Sequence, residues 1–290
     1  MTSTGKWPRR VPLLVLVGLL ALSLLVGVVV VWLRGGTGIG STKAREKDGM
    51  VTVYVPGGTF QMGSTEGESD EQPVHKVTLD SFWIDQTEVT NGQYARCVAA
   101  GKCSPPLPLS SGTRSSYYGD SQYDNYPVIY VSWGDATNYC AWAGGRLPTE
   151  AQWEYAARGP EGRVYPWGNE FDGTKLNYCD AKCLFGDVDK TADDGYADPA
   201  PVGSYPGGAS WVGALDLAGN VWEWVADRYG SYPSEPQVDP TGPSSGHGRV
   251  LRGGCWINSR NSARGAFHDG NEPVNRNYGI GFRCAMSAGK

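Results

Sequence analysis

The sequence predicts an α+β domain preceded by one membrane-spanning helix. Three observations carry that prediction: an unbroken aliphatic run near the N terminus, three capping-box signatures that open short helices, and β-branched runs broken by glycine and proline.

Residues 11–33 are uncharged and nearly all aliphatic, with Arg9, Arg10 and Arg34 at their ends. At helical rise this run crosses a hydrocarbon core of about 30 Å. A cleaved signal peptide has a shorter apolar stretch and a small-x-small cleavage site, and residues 35–40 offer a poor one. An uncleaved signal anchor is therefore expected. Residues 1–10 form a short cytoplasmic segment, 34–50 a flexible linker whose polar part is 35–47, and 51–290 the folded domain. Positive charges are nearly balanced across the helix, so they do not decide which side the domain occupies.

About 240 residues remain after the linker, enough for one large domain with a substantial core. The chain has Gly 41, Trp 11 and Tyr 16 with only 19% charged residues, which describes many turns held by aromatic packing. A formal net charge of -5 and the lack of a Lys/Arg stripe exclude nucleic acid as a partner. Thr90 with Gln93 opens a helix running to Gly101, Ser132 caps one ending near Gly144, and Thr149 with Gln152 opens a third through about Ala157. Strands are expected at 51–55 and 77–84.

Seven cysteines settle the compartment. Cys97 and Cys103 flank a short loop at a helix end, and Cys179 and Cys183 are four apart, so each pair reads as a local disulfide. Disulfides suit an oxidising compartment and place the domain on the extracytoplasmic side of the cell membrane. Zinc held by four cysteines needs two C-x-x-C knuckles, and neither spacing matches. His75, His247 and His268 show no H-x-H or H-x-x-x-H spacing, so no histidine metal centre is indicated.

The stretch Asp216-Leu-Ala-Gly-Asn-Val-Trp-Glu-Trp224 places two carboxylates and a Gly-Asn turn beside two tryptophans. Carboxylates at Asp216 and Glu223, with carbonyls freed by the turn at 219–221, have the oxygen chemistry that calcium takes. The same residues also read as a core strand with Trp222 and Trp224 on one face.

An ordered series resembles the formylglycine-generating enzyme, or sulfatase-modifying factor, family over roughly residues 51–290. It comprises Gly57-Gly-Thr-Phe-Gln-Met-Gly63, Glu88-Val-Thr-Asn91, Pro127-Val-Ile-Tyr-Val-Ser-Trp133, Arg146-Leu-Pro-Thr-Glu150, Trp153-Glu-Tyr155, Gly219-Asn-Val-Trp-Glu-Trp224, Arg252-Gly-Gly254 and Gly281-Phe-Arg283. Each piece is weak alone; the whole series in one order is specific. The resemblance implies a C-type-lectin-like α+β fold with little regular structure, a third disulfide between Cys140 and Cys284, and Cys255 left over. It also implies two calcium sites. One takes Asp216, Gly219, Val221 and Glu223, with Asp216 standing where the family usually has Asn. The other takes side-chain oxygens of Asn177 and Asp194 and backbone carbonyls of Tyr178 and Tyr196.

The chemistry departs from the family. Its enzymes oxidise a substrate cysteine with molecular oxygen and copper held by two cysteines in the segment matching 252–264. Aligned without gaps, those positions are Asn258 and Ala263; a small gap moves the second to Arg260. A cuprous ion prefers thiolates, so copper is not expected. Cys255, next to Gly254 where active enzymes usually carry serine, is the remaining catalytic candidate if its pKa is lowered, with Arg252 or Arg260 as possible cations; it also reads as a small buried residue beside Trp256.

Two functions follow from the sequence. One is a membrane-anchored, calcium-stabilised binding or accessory protein that holds a peptide, protein or glycan in the ancestral groove near Trp256, Asn258 and Arg260. The alternative is an oxidoreductase of the same family that modifies a peptide cysteine or related substrate through Cys255.

Overall fold

The computed structural model describes residues 1–2, 38–185 and 188–289. Contacts divide the chain into 1–34 and 35–290, and the fold below is that of the second unit. The predicted membrane helix at 11–33 lies outside the described residues. Among the described residues no helix is long and apolar enough to cross a membrane.

Eleven strands, β1 (Thr42–Ala44), β2 (Val51–Val55), β3 (Gly58–Met62), β4 (His75–Leu79), β5 (Phe82–Asp85), β6 (Trp222–Arg228), β7 (Gln237–Val238), β8 (Arg249–Arg252), β9 (His268–Asn271), β10 (Ile280–Phe282) and β11 (Ala285–Ser287), form three small sheets among the described residues. Their orders are β1-β2-β5-β11, β10-β6-β8-β9 and β3-β4-β7. Three helices, α1 (Asn91–Ala99), α2 (Trp133–Ala143) and α3 (Glu150–Arg158), pack among them. This is the α+β architecture the sequence predicts, with long irregular connections.

All three helices start where their caps place them. Thr90, Ser132 and Thr149 each accept the N–H three residues on, and Gln93, Asp135 and Gln152 reach back to close a capping box. The helix α2 stops at Gly144 in the left-handed conformation. Strand β2 also matches its expected range.

The expected strand at 77–84 is instead two strands in different sheets. Asp80 and Ser81 form the break, and the Asp80 N–H donates to the Asp239 carboxylate at 2.9 Å. Short polar residues that favour turns outweigh the β-branched run around them.

The linker also requires correction. Its polar composition reads as solvated, yet β1 pairs antiparallel with β2, and Arg45 is buried between Asp48 and Asp85 with both contacts at 2.6 Å. The Tyr139 hydroxyl adds a 2.7 Å bond to Asp48. Neutralised this way, a charged residue joins the core, and the domain begins before residue 51.

Two large aromatic-rich clusters, with two smaller ones around Tyr178 and Tyr117, form the core of the described residues. One large cluster gathers Val53, Phe60, Val77, Ile84, Trp153 and Val225; the other gathers Tyr94, Tyr139, Trp224, Leu251, Phe282 and Trp256. Disulfides join Cys97 to Cys103, Cys140 to Cys284 and Cys179 to Cys183, and Cys255 is free and buried. The two local pairs and the third expected from the resemblance are all present.

Candidate functional site: a buried carboxylate centre and an ancestral groove

Between α1, β6 and β10 the chain buries three carboxyl groups beside one guanidinium. Glu88, Asp216 and Glu223 are all almost wholly buried, and the neighbouring cation is Arg283, itself fully buried. Glu223 holds Arg283 through both oxygens, at 2.6 and 2.7 Å, and accepts the Trp153 indole N–H at 2.8 Å. Asp216 accepts the Gly203 N–H at 2.6 Å. Burial, followed by the charge of Asp216, pushes Glu88 well above the usual carboxylate range; burial pushes Asp216 up as well.

Local backbone geometry builds this centre. Asp216 and Asn220 hold positive φ values of 55° and 57°, which short polar side chains tolerate better than other non-glycine residues. Gly219, at φ 78°, lies so close to the neighbouring segment that a Cβ would sit 2.2 Å from the Asn177 carbonyl oxygen. The turn therefore requires glycine. Asn220 ties the pieces together, donating to Glu88 at 3.0 Å and accepting from Asn177 at 3.2 Å.

Several buried oxygens here have no donor: Glu88 Oε2, Asn177 Oδ1 and Asp198 Oδ1. Unpaired buried acceptors are costly, and a cation removes that cost. The centre offers oxygen donors of the type calcium takes, but Glu223 of the predicted set already spends both oxygens on Arg283 and Trp153, and the unpaired oxygens belong to Glu88, Asn177 and Asp198. Among the described residues no three His, Cys, Asp or Glu side chains converge closely enough to form a metal set alone. Backbone oxygens would have to complete the shell. Of the neighbours that matter, Glu88 and Arg283 stood in quoted motifs without a role, because pairing across distant segments leaves no local signal.

At the second predicted site, the Asp194 carboxylate accepts N–H groups from Tyr178 at 2.9 Å and Tyr196 at 2.8 Å. Asp180 accepts the Asp194 N–H, and Tyr178 uses its carbonyl on the Asp180 N–H at 2.8 Å. Burial raises Asp194 to about 7 even against those N–H groups. Asn177 turns away toward Asn220 and the Asp198 carbonyl. The structure thus brings Tyr178, Asp194 and Tyr196 together and places Asn177 against the first centre.

The copper positions do not fit copper. The turn at Gly253 and Gly254, with φ values of 92° and 74°, leads into Cys255, whose Sγ donates to Asn258 Oδ1 at 3.0 Å. Burial pushes the thiol up to about 12. Neither arginine helps it: Arg252 is held by Glu154 at 2.6 Å and by the carbonyls of Gly265 and Ala266, and Arg260 is exposed over the Phe171 ring. A neutral, enclosed thiol is a poor nucleophile and a poor metal ligand. Ala263 is buried, and the other six cysteines are in disulfides.

The groove residues separate as well. Trp256 is 1% exposed and packs against Phe185 and Tyr278. Asn258 is half-buried on Cys255. Arg260 alone of the three lines a depression of about 490 Å³, with Tyr178, Asp189, Thr191 and Ser259.

At the N terminus of α3, Glu150 accepts from Tyr232 at 2.8 Å and lies 2.7 Å from His268 Nδ1. Burial opposes protonation of His268, but the Glu150 carboxylate outweighs it and raises the ring above its ordinary 6.5. Stability from this pair is complete below about pH 6.5 and is lost as pH rises through the higher folded value. The stability gap between the parent and His268→Gln, read by urea denaturation, should therefore be largest near pH 6 and shrink toward pH 9. A gap independent of pH would show that the ring stays neutral.

This fold, with its buried carboxylate centre and its Arg-Gly-Gly turn, defines a sulfatase-modifying-factor domain. The chain belongs to that family: the model described as the sulfatase-modifying factor enzyme 1-like domain matches residues 39–288. A formylglycine-generating enzyme of Streptomyces coelicolor is 39% identical over 295 residues, covering 84% of this chain and 92% of the relative. Inactive C-alpha-formylglycine-generating enzyme 2 of Bos taurus is 35% identical over 282 residues, covering 82% of this chain and 88% of that one. Among solved structures, PvdO from Pseudomonas aeruginosa superposes with a TM-score of 0.68 at 30% identity, covering 86% of this chain and 99% of its own.

Proposed function

We propose that this chain is a membrane-anchored, extracytoplasmic accessory protein whose calcium-stabilised domain binds a peptide, protein or glycan without oxidising a cysteine. The observation that carries the reading is the state of the cysteines: six are paired, and the seventh is buried, protonated and without a second thiol. Three disulfides support an oxidising compartment, and the aliphatic run at 11–33 supports the anchor. The buried carboxylates and orphaned oxygens around Glu88 and Asn177 support calcium. The bovine relative named as inactive is consistent with a domain kept after that activity is lost. For the ligand, the depression beside Arg260 provides a guanidinium suited to a carboxylate or sulfate.

Copper(I) titration of the full chain, with oxygen uptake measured on a cysteine-containing peptide, tests this function. The expected result is no copper-dependent oxygen consumption. Consumption that appears with copper and disappears in Cys255→Ser would establish the oxidoreductase instead.

A further inference from the structure

A cavity of about 510 Å³ lies between the N terminus of α3, the end of β6 and the segment 237–243, away from the carboxylate centre and the Arg260 depression. Its wall includes Met62, His75, Glu150, Asp227 and Tyr232. No lysine or arginine lines it.

Three carboxylates line that wall and they are unequal: Asp239 is exposed and accepts the Asp80 N–H, while Glu150 and Asp227 are buried. Glu150 has its charge answered by His268 and, at 3.5 Å, by Arg252. Asp227, 3% exposed, accepts the Glu150 N–H at 2.9 Å through Oδ2, and among the described residues no ion pair holds it. Its Oδ1 accepts no hydrogen bond from the described residues. Gly242 keeps that oxygen uncovered, since a Cβ there would lie 2.7 Å from it. Beside the carboxylates, the rings of His75 and Tyr232 lie 5.2 Å apart and Met62 contributes a thioether, so the remaining wall is aromatic and soft.

We infer that this cavity binds a small organic ammonium ion, its charged head on Asp227 Oδ1 and its apolar body against His75, Tyr232 and Met62. A buried carboxylate with one open oxygen offers an ammonium group the acceptor it needs, and aromatic faces attract cations. The volume is that of an ordinary small-molecule site. A metal ion suits the place less well, because one oxygen of each carboxylate is already committed to a protein donor and calcium takes six or more oxygens.

The groups acting on Asp227 give the binding a pH signature. Burial, and then the Glu150 charge, hold its carboxyl up to about 7, against Arg146 and Arg249, which lower it. A bound ammonium ion ionises it, so binding near pH 7 should release close to half a proton and should be tighter at pH 8 than at pH 5.5 by about tenfold or more.

Isothermal titration of the full chain with phenethylammonium tests the inference, beside its neutral and anionic analogues 2-phenylethanol and 3-phenylpropanoate. The expected result is a Kd on the order of 1 mM at pH 8 for the amine alone, with proton release at pH 7 read from buffers of different ionisation enthalpy. N-acetyl-lysinamide separates a lysyl side chain from a free amine as the source. Asp227→Asn keeps the acceptor for Glu150 N–H and should weaken binding at least tenfold. Equal binding of 2-phenylethanol, unchanged binding in Asp227→Asn, or no binding of either amine would overturn the proposal. If Asp227→Asn does not fold, the pH dependence and proton release of the parent decide, and their absence overturns it.

Discussion

Glu223→Ala should destabilise the domain by about 3–5 kcal/mol, because it strands a fully buried guanidinium. Arg283 meets Glu223 through two hydrogen bonds at 2.6 and 2.7 Å, and its other donors go to the carbonyls of Asp85, Gln86 and Leu215. Removing the carboxylate also leaves the Trp153 indole N–H without an acceptor. Replacing both partners, as in Glu223→Leu with Arg283→Met, should recover part of the loss, since a buried pair deleted whole costs less than one broken. Urea denaturation measures both; a cost below about 1 kcal/mol for the single change would show that the pair does not hold the core.

The same variant tests calcium. Binding to the native state alone stabilises by about 2.7 kcal/mol at a hundredfold excess over Kd. The parent should therefore melt higher with calcium than with chelator, and Glu223→Ala should lose that difference on top of its lower stability. The two losses are separable, because the ion pair acts without calcium and the metal does not. Equal melting of the parent in calcium and chelator would remove the calcium site while leaving the ion-pair argument intact.

What the sequence made legible was local. A capping box is written within four residues, so Thr90, Ser132 and Thr149 announce their helices before any packing is known. Cys97 with Cys103 and Cys179 with Cys183 are near enough along the chain to read as pairs. The ordered motifs then placed the carboxylates of the candidate centre. Pairings between distant segments were not legible: Arg45 finds Asp85 forty residues on, and Glu71 meets Arg264 across 193. Composition alone made Arg45 look solvated, and only the partner carboxylates show why it is buried. The cavity beside Asp227 was equally hidden, since Met62, His75, Glu150, Asp227 and Tyr232 converge from separate elements and no spacing links them. For Cys255 the sequence left both a reactive and a buried reading, and burial is what the fold supplies.

Loss of the Cys140–Cys284 bridge should be the most damaging change to the cysteines. It closes a loop of sequence separation 144, against 6 for Cys97–Cys103 and 4 for Cys179–Cys183. In the chain-entropy model, restraining a loop of that length stabilises by about 5 kcal/mol, and the six-residue loop by about 2. The bridge also fastens α2 to the segment between β10 and β11, where the Cys284 N–H donates to the buried Asp85 carboxylate at 3.0 Å. Its sulfurs are fully enclosed, whereas Cys103 and Cys183 are partly exposed. A mild reductant should therefore open the two local bridges first, and the long one only after unfolding. Thiol counting on denatured, unreduced protein should give one thiol, and full reduction seven. Cys140→Ala with Cys284→Ala should lower the urea midpoint far more than the paired changes at Cys97 and Cys103. Equal losses would show that loop length does not govern the stabilisation, and seven free thiols in protein taken from its native compartment would remove the disulfides and the extracytoplasmic placement together.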